Sequence, residues 1–235
     1  MLLERIRHEK KFGASVPLTY AGRLDPMAEG VMIILSGEMC KEKDRYLALD
    51  KTYRFDILCG IATDTYDVLG MPMAMDISSL PSKEGVMDAA RAVVAMTLPY
   101  PPYSSRTIHG VPLFTYARQG TLPYELPLQP GRITTLSIEH MQTVPLVSII
   151  DDVMNDIQKV KGDFRQTETH DAWQRIGEQY PDREVTIITA VATVTSGMYI
   201  RSIAQVMGEL MGIPSLAYRI VRTHIGDYTC DIHND

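Results

Sequence analysis

The sequence predicts an α+β protein, and three observations carry that expectation. Strand patterns occur both early and late: Tyr53, Phe55 and Ile57 alternate with Thr52, Arg54 and Asp56, and Val185 to Thr195 is rich in β-branched residues. Helix patterns lie between and after them, at Val86, Ala89, Ala90, Val93 and Val94, and again at Ile203, Val206, Met207 and Leu210. These strands and helices do not follow one another in regular βαβ alternation, and no repeat or low-complexity tract interrupts them.

Taken in order, Leu2, Leu3 and Ile6 within a charged remainder predict a short amphipathic N-terminal helix. Asp25 precedes Pro26, which biases it toward extended backbone, and Gly22 and Gly30 bracket the segment. The apolar run Val31 to Leu35 then reads as a buried strand, so Asp25 sits on a constrained loop feeding it. Lys51, Thr52 and Tyr53 open the alternating strand. Pro81 and Ser82 are start signals for the helix that carries Val86. Ile133, Leu136 and Ile138 belong to a strand region, as do Val144 to Ile150. Residues 151 to 184 are polar with one Trp and read as an irregular or helical excursion. Val185 to Thr195 is the predicted central strand, and the helix stripe after it ends near Gly212 and Pro214.

A chain of 235 residues at 45% hydrophobic can bury a substantial core, in one large domain or two small ones. No stretch of the length and apolarity of a transmembrane helix is present, and the N-terminus is too charged for a secretory signal. Cys40, Cys59 and Cys230 are odd in number and lack C-x-x-C spacing, which points to reduced structural thiols and a cytoplasmic protein. The net charge is −6, so the chain as a whole carries no basic field. Basic residues recur from Arg5 to Lys11, at Lys41, Lys43, Arg45, Lys51 and Arg54, and at Arg201, Arg219 and Arg222, whereas acids crowd Asp151, Asp152, Asp156 and Glu168 to Glu184. A mixed surface and a basic groove facing away from an acidic back both fit that distribution.

An isolated Asp-Pro is ordinarily a turn. Here Gly22-Arg23-Leu24-Asp25-Pro26-Met27-Ala28-Glu29-Gly30 resembles the catalytic loop of the TruB family of tRNA pseudouridine synthases, G-T-L-D-P-x-A-x-G. Further blocks follow in the family's order. Lys51-Thr52-Tyr53 is similar to K-x-Y, and Leu58 to Gly70, with Thr63-Asp64-Thr65-Tyr66-Asp67, to L-G-x-x-T-D-T-x-D-x-x-G. Pro101 to Gly120 is similar to P-P-x-Y-S-A…G…Y-x-x-A-R-x-G, Ser196 to Ser202 to S-x-G-x-Y-I-R-[ST], and Ile220 to Gly226 to L-R-R-T-x-I-G. The blocks span residues 20 to 226.

The resemblance implies the pseudouridine synthase fold: a mixed, largely antiparallel sheet with flanking helices and a central active-site cleft, here as a single catalytic domain. It implies that Asp25 is the nucleophile, that Arg201 aims and ionises it, and that Tyr53 stacks on the target base and assists proton removal. Tyr199 and Ile220 would pack on the flipped base, and Tyr20, Arg23 and Lys51 would contact the RNA. Thr63, Asp64, Thr65 and Asp67 read as turn bonds holding a loop, not as a metal site. The reaction it implies, uridine to pseudouridine at U55 in the tRNA T-loop, needs no cofactor and no metal; the expected partner is the T-arm of tRNA, with no membrane, and the chain is expected to act as a monomer. Two alternatives stay open: an RNA-binding or tRNA-folding protein of the same fold with weak catalysis, and a synthase acting on another RNA.

Several positions depart from the family pattern. Tyr20 stands where a His is usual, and Arg23 replaces Thr or Ala, giving an Arg-Leu-Asp that resembles the RluA and RsuA synthases. The family's opening K-P-x-G-x-T-S strand is not found, and no C-terminal PUA domain is expected.

Overall fold

The computed structural model describes residues 2–9, 12–162 and 164–229. Its centre is a six-stranded sheet ordered β12-β11-β4-β10-β9, built from β4 (Lys51–Cys59), β9 (Ile133–Pro145), β10 (Glu184–Val194), β11 (Ser215–Ile225) and β12 (Tyr228–Thr229). These pair antiparallel throughout; the sixth strand, β2 (Ala28–Gly30), adds to β11 in parallel. β4 and β10 occupy the middle because their alternating and β-branched residues fit a sheet covered on both sides.

Helices cover each face. On one, Tyr53, Phe55 and Ile57 of β4 pack with Ile188, Ala190 and Ala192 of β10 against α3 (Lys83–Val94) and α7 (Ile200–Met211). On the other, Leu58, Val185 and Ile187 meet α5 (Leu146–Lys159) and α6 (Gln166–Gln179) around the fully buried Trp173. Ser82 caps α3 by accepting from the Gly85 N–H at 3.0 Å, as its position before the helix stripe suggests. α1 (Leu2–Glu9) forms where the N-terminal pattern placed it. Cys40 is half-buried and Cys59 buried; Cys230 lies outside the described residues.

Two expectations are corrected. Residues 146–150 are helix, not strand: Leu146, Ile149, Ile150, Val153 and Ile157 are all buried and recur at helical spacing, so β9 stops at Pro145 and α5 begins beside it. The polar excursion that follows is mostly this helix and α6, and its apolar residues belong to the core. The run 31–35 is also not one buried strand. Only 33–36 are strand, β3 (Ile33–Ser36), half-buried and paired with β1 (Leu18–Ala21) in a separate two-stranded sheet.

The outer edge of β11 organises the molecule. Ala217 bridges Asp67, Ile220 to Arg222 pair with Ala28 to Gly30, and His224 and Ile225 pair with β12. Two loops from distant parts of the sequence therefore hang on one strand, side by side. Close approach here demands glycine at 30, where φ is +109° and an added Cβ would lie 2.2 Å from the Arg222 carbonyl oxygen.

Candidate active site

The loop that ends in β2 carries Asp25, and the second residue of α7 is Arg201. α7 starts there because Tyr199 holds an extended backbone before the first helical turn and its N–H donates to the buried Gln129 Oε1 at 2.6 Å. Gln129 is itself fixed, its Nε2 donating to the Pro99 carbonyl at 2.6 Å, so the helix start is tied down from below.

Arg201 grips Asp25 at two points: Nε donates to Oδ2 at 2.8 Å and Nη2 to Oδ1 at 3.0 Å. Side-chain exposure is 4% for Arg201 and 27% for Asp25, so the arginine is sunk and the carboxylate keeps an open side. The remaining donors turn inward, Nη1 to the Thr65 carbonyl at 2.8 Å and, more loosely, to that of Tyr103. A second carboxylate, Asp67 Oδ2, lies 3.5 Å from Arg201 Nε. Burial opposes the charge on Arg201, but Asp25 and Asp67 outweigh it and its pKa rises. Asp67 is pushed up to about 6, by burial first, against the pull of Arg201. A planar fork between two carboxylates, one open and one sealed, holds a directed carboxylate oxygen at the open side of the site.

The other site residues from the sequence are distributed unequally. Tyr53 and Ile220 belong to the core cluster against which Leu24 and Met27 of the Asp25 loop pack, so the loop, the tyrosine and the apolar wall come together. The Tyr53 hydroxyl is held above its ordinary pKa, by burial first, with Arg222 lowering it and Asp25 raising it. Tyr199 lies under Arg201, whose guanidinium carbon is 5.5 Å from its ring centroid, and edge-on to Tyr100 at 5.6 Å. Tyr20 is half-buried, with the cations of Arg23 and Lys43 at 5.9 and 6.0 Å from its ring, forming an aromatic and basic rim beside the Asp25 loop. Lys51 is turned away: its ammonium donates to the carbonyls of Leu47 and Leu49 at 2.6 and 2.5 Å. Burial, then the charge of Arg222, lowers its pKa to about 8.

The basic groove expected as one option loses several members. Arg201, Arg222 and Lys51 are buried, while Arg54 and Arg219 pair with Glu139 and Asp152. Arg23 and Lys43 remain beside the site.

The oxygen-rich loop at 63–67 does make the turn bonds read from its spacing: Thr65 Oγ1 donates to Asp67 Oδ1 at 2.7 Å and the Leu69 N–H donates to the same oxygen at 2.9 Å. Sequence reasoning stopped there and missed that the free oxygen of Asp67 reaches Arg201. It also missed Gln129, which no periodicity or motif singled out, and it gave Arg222 no role beyond its place in the Ile220 to Gly226 block and among the basic residues. A concavity of about 520 Å³ lined by Ile77, Leu80, Pro145 and Arg183 touches none of these residues.

Fold and site together define a half-open carboxylate set by a buried arginine at the edge of a largely antiparallel sheet. Residues 10–162 match the family described as TruB family pseudouridylate synthase (N terminal domain), and the chain belongs to that family. Among relatives, the tRNA pseudouridine synthase B of Clostridium perfringens (strain SM101 / Type A) is 26% identical over 225 residues, 95% of this chain and 68% of the relative. That of Chloroherpeton thalassium is 28% identical over 233 residues, 97% of this chain and 78% of the relative. A solved Cbf5-Nop10-Gar1 complex contains a chain of the same fold, with TM-score 0.53 and 12% identity, covering 98% of this chain. The present chain spans 46% of that one. The architecture is thus the pseudouridine synthase fold.

Proposed function

We propose that this protein isomerises uridine to pseudouridine in tRNA, with U55 of the T-loop as target, acting as a monomer on the T-arm. The observation that carries the reading is Asp25, held at two points by a buried arginine yet open on one side. The relatives named tRNA pseudouridine synthase B support the substrate class.

In the reaction the N1–C1′ bond of uridine breaks, the base turns, and a C5–C1′ bond forms. The proton on C5 leaves and N1 gains one, so atoms balance with no redox change. Asp25 serves as the nucleophile, adding to uracil C6 or assisting expulsion of the base from C1′. Arg201 supplies the counter-charge and aims that carboxylate through its two contacts. Tyr53 and Ile220 wall the extruded base, and the Tyr53 hydroxyl relays the C5 proton, accepting it as its own phenol proton passes to water. Tyr20, Arg23 and Lys43 at the rim meet the flanking nucleotides, the ring by stacking and the cations by phosphate contact.

Pseudouridine mapping of unmodified tRNA incubated with pure protein tests this. A single new pseudouridine at U55 is the expected result. Modification elsewhere would reassign the substrate, and binding without modification would reassign the protein as an RNA binder.

A further inference from the structure

Arg222 is 1% exposed, and no carboxylate among the described residues forms an ion pair with it. A buried cation without a counter-charge is costly, so its surroundings must compensate it. They do so with main-chain carbonyls from both ends of the catalytic loop. Nε donates to Val31 O at 2.8 Å, Nη2 to Gly22 O at 3.2 Å and Nη1 to Arg23 O at 3.4 Å. The Arg222 carbonyl in turn accepts from the Val31 N–H at 2.8 Å. One residue thereby fastens the chain just before and just after Asp25.

The same residue is the cross-strand partner of Tyr53 in the β4–β11 ladder. The charged groups acting on the Tyr53 hydroxyl are Arg222 from β11 and Asp25 from the loop; the opposite neighbour on β10 is Ala192, which carries no charge. Lys51, two residues along β4, is held to the Leu47 and Leu49 carbonyls and faces the same arginine.

We infer that Arg222 is a positioning residue for two reacting groups at once: it fixes where the Asp25 carboxylate stands, and it holds the Tyr53 phenol oxygen as an acceptor, directing the phenol proton toward Asp25 and the base. This rests on the function proposed above. In that arrangement Arg201 orients the nucleophile's side chain and Arg222 orients its backbone. A phenol beside a guanidinium also gives up its proton more readily than one buried alone.

The test uses Arg222→Gln and Arg222→Lys in the full chain, each beside wild type. Three readouts are taken: single-turnover rate against pH, RNA affinity, and phenolate absorbance of Tyr53 isolated by subtracting a Tyr53→Phe background. For Arg222→Gln the rate should fall by about 100-fold, the scale of a misplaced reacting group. RNA affinity should stay within about threefold. Its Tyr53 titration should move to higher pH. Arg222→Lys keeps a charge but not the fork, so it should restore the titration in part and the rate incompletely. Tyr53 titrating as in wild type in either folded variant would overturn the inference, as would a wild-type rate in Arg222→Lys. If Arg222→Gln does not fold, the lysine variant decides alone. If wild type itself modifies no tRNA, the proposed function fails while the titration still judges Arg222.

Discussion

Two arginines in this molecule grip two aspartates at two points each, and the two pairs face opposite ways. In Arg201–Asp25 the cation is the sunken partner, 4% exposed against 27% for the acid. In Arg165–Asp64 the acid is the more buried, 19% against 30%, and the arginine lies 4.7 Å over the ring of Tyr103. Asp64 also accepts from the Met71 N–H at 2.8 Å, so its oxygens are occupied by the turn and the clamp. The contacts are chemically alike. Which partner is buried decides whether the pair presents a carboxylate or puts one away.

The largest effect belongs to the presented carboxylate. Asp25→Asn keeps size and hydrogen bonding and removes the charge, so turnover should fall by at least about a thousandfold, or ~4 kcal/mol. RNA affinity should hold within about tenfold. Tritium release from 5-tritiated uridine in a T-arm transcript reports it, and appreciable release by the variant would erase the functional half of the comparison. Next comes Arg201→Ala, which strands the buried Asp67 and unties Asp25, at about 3–5 kcal/mol of stability for a broken buried pair. Chemical denaturation measures that loss. Lysine at this position should recover little turnover, because an ammonium cannot make two parallel contacts.

Arg165→Ala should cost only about 1 kcal/mol, since its pair is partly solvated, and should leave turnover within about tenfold. A loss of turnover as deep as that of Arg201→Ala would mean that the two pairs do one job. The smallest effect concerns Asp67, which makes the Arg201–Asp25 pair a trio. Its folded pKa, about 6, lies above the ordinary carboxylate value. The folded protein thus holds that proton through a range in which the unfolded chain has released it. Stability from this group therefore declines as pH rises from about 4 to about 6. Melting temperatures across that window should decline less steeply in Asp67→Asn; an unchanged slope would remove Asp67 from the trio.

Much of this was legible in the sequence, for identifiable reasons. β4 and β10 announced themselves because alternation and β-branched runs report directly on a sheet's two faces. Asp25 and Arg201 stood in motif blocks far apart in sequence, which the fold brings together. Residues 146–150 were misread because Val147, Ile149 and Ile150 favour strands locally while tertiary burial at Leu146, Ile150, Val153 and Ile157 selects a helix. Lys51 was expected to contact the RNA and Arg222 was counted among the residues of a possible basic groove, since a buried cation satisfied by backbone carbonyls leaves no trace in composition. Asp67 looked like a turn residue, and it is one; its second role depends on the bridge to Ala217, a contact across the fold.

One consequence follows from how unequally the strands are supported. Tyr53 stands on β4, zipped to β11 on one side and β10 on the other, whereas Asp25 precedes a three-residue strand attached along one edge. Amide hydrogens of β4 should exchange only when the sheet as a whole opens, and those of residues 22–31 through a far cheaper local release. In rising urea the Asp25 loop should detach before the strand that carries Tyr53, so activity should vanish at a lower concentration than the circular dichroism of the sheet.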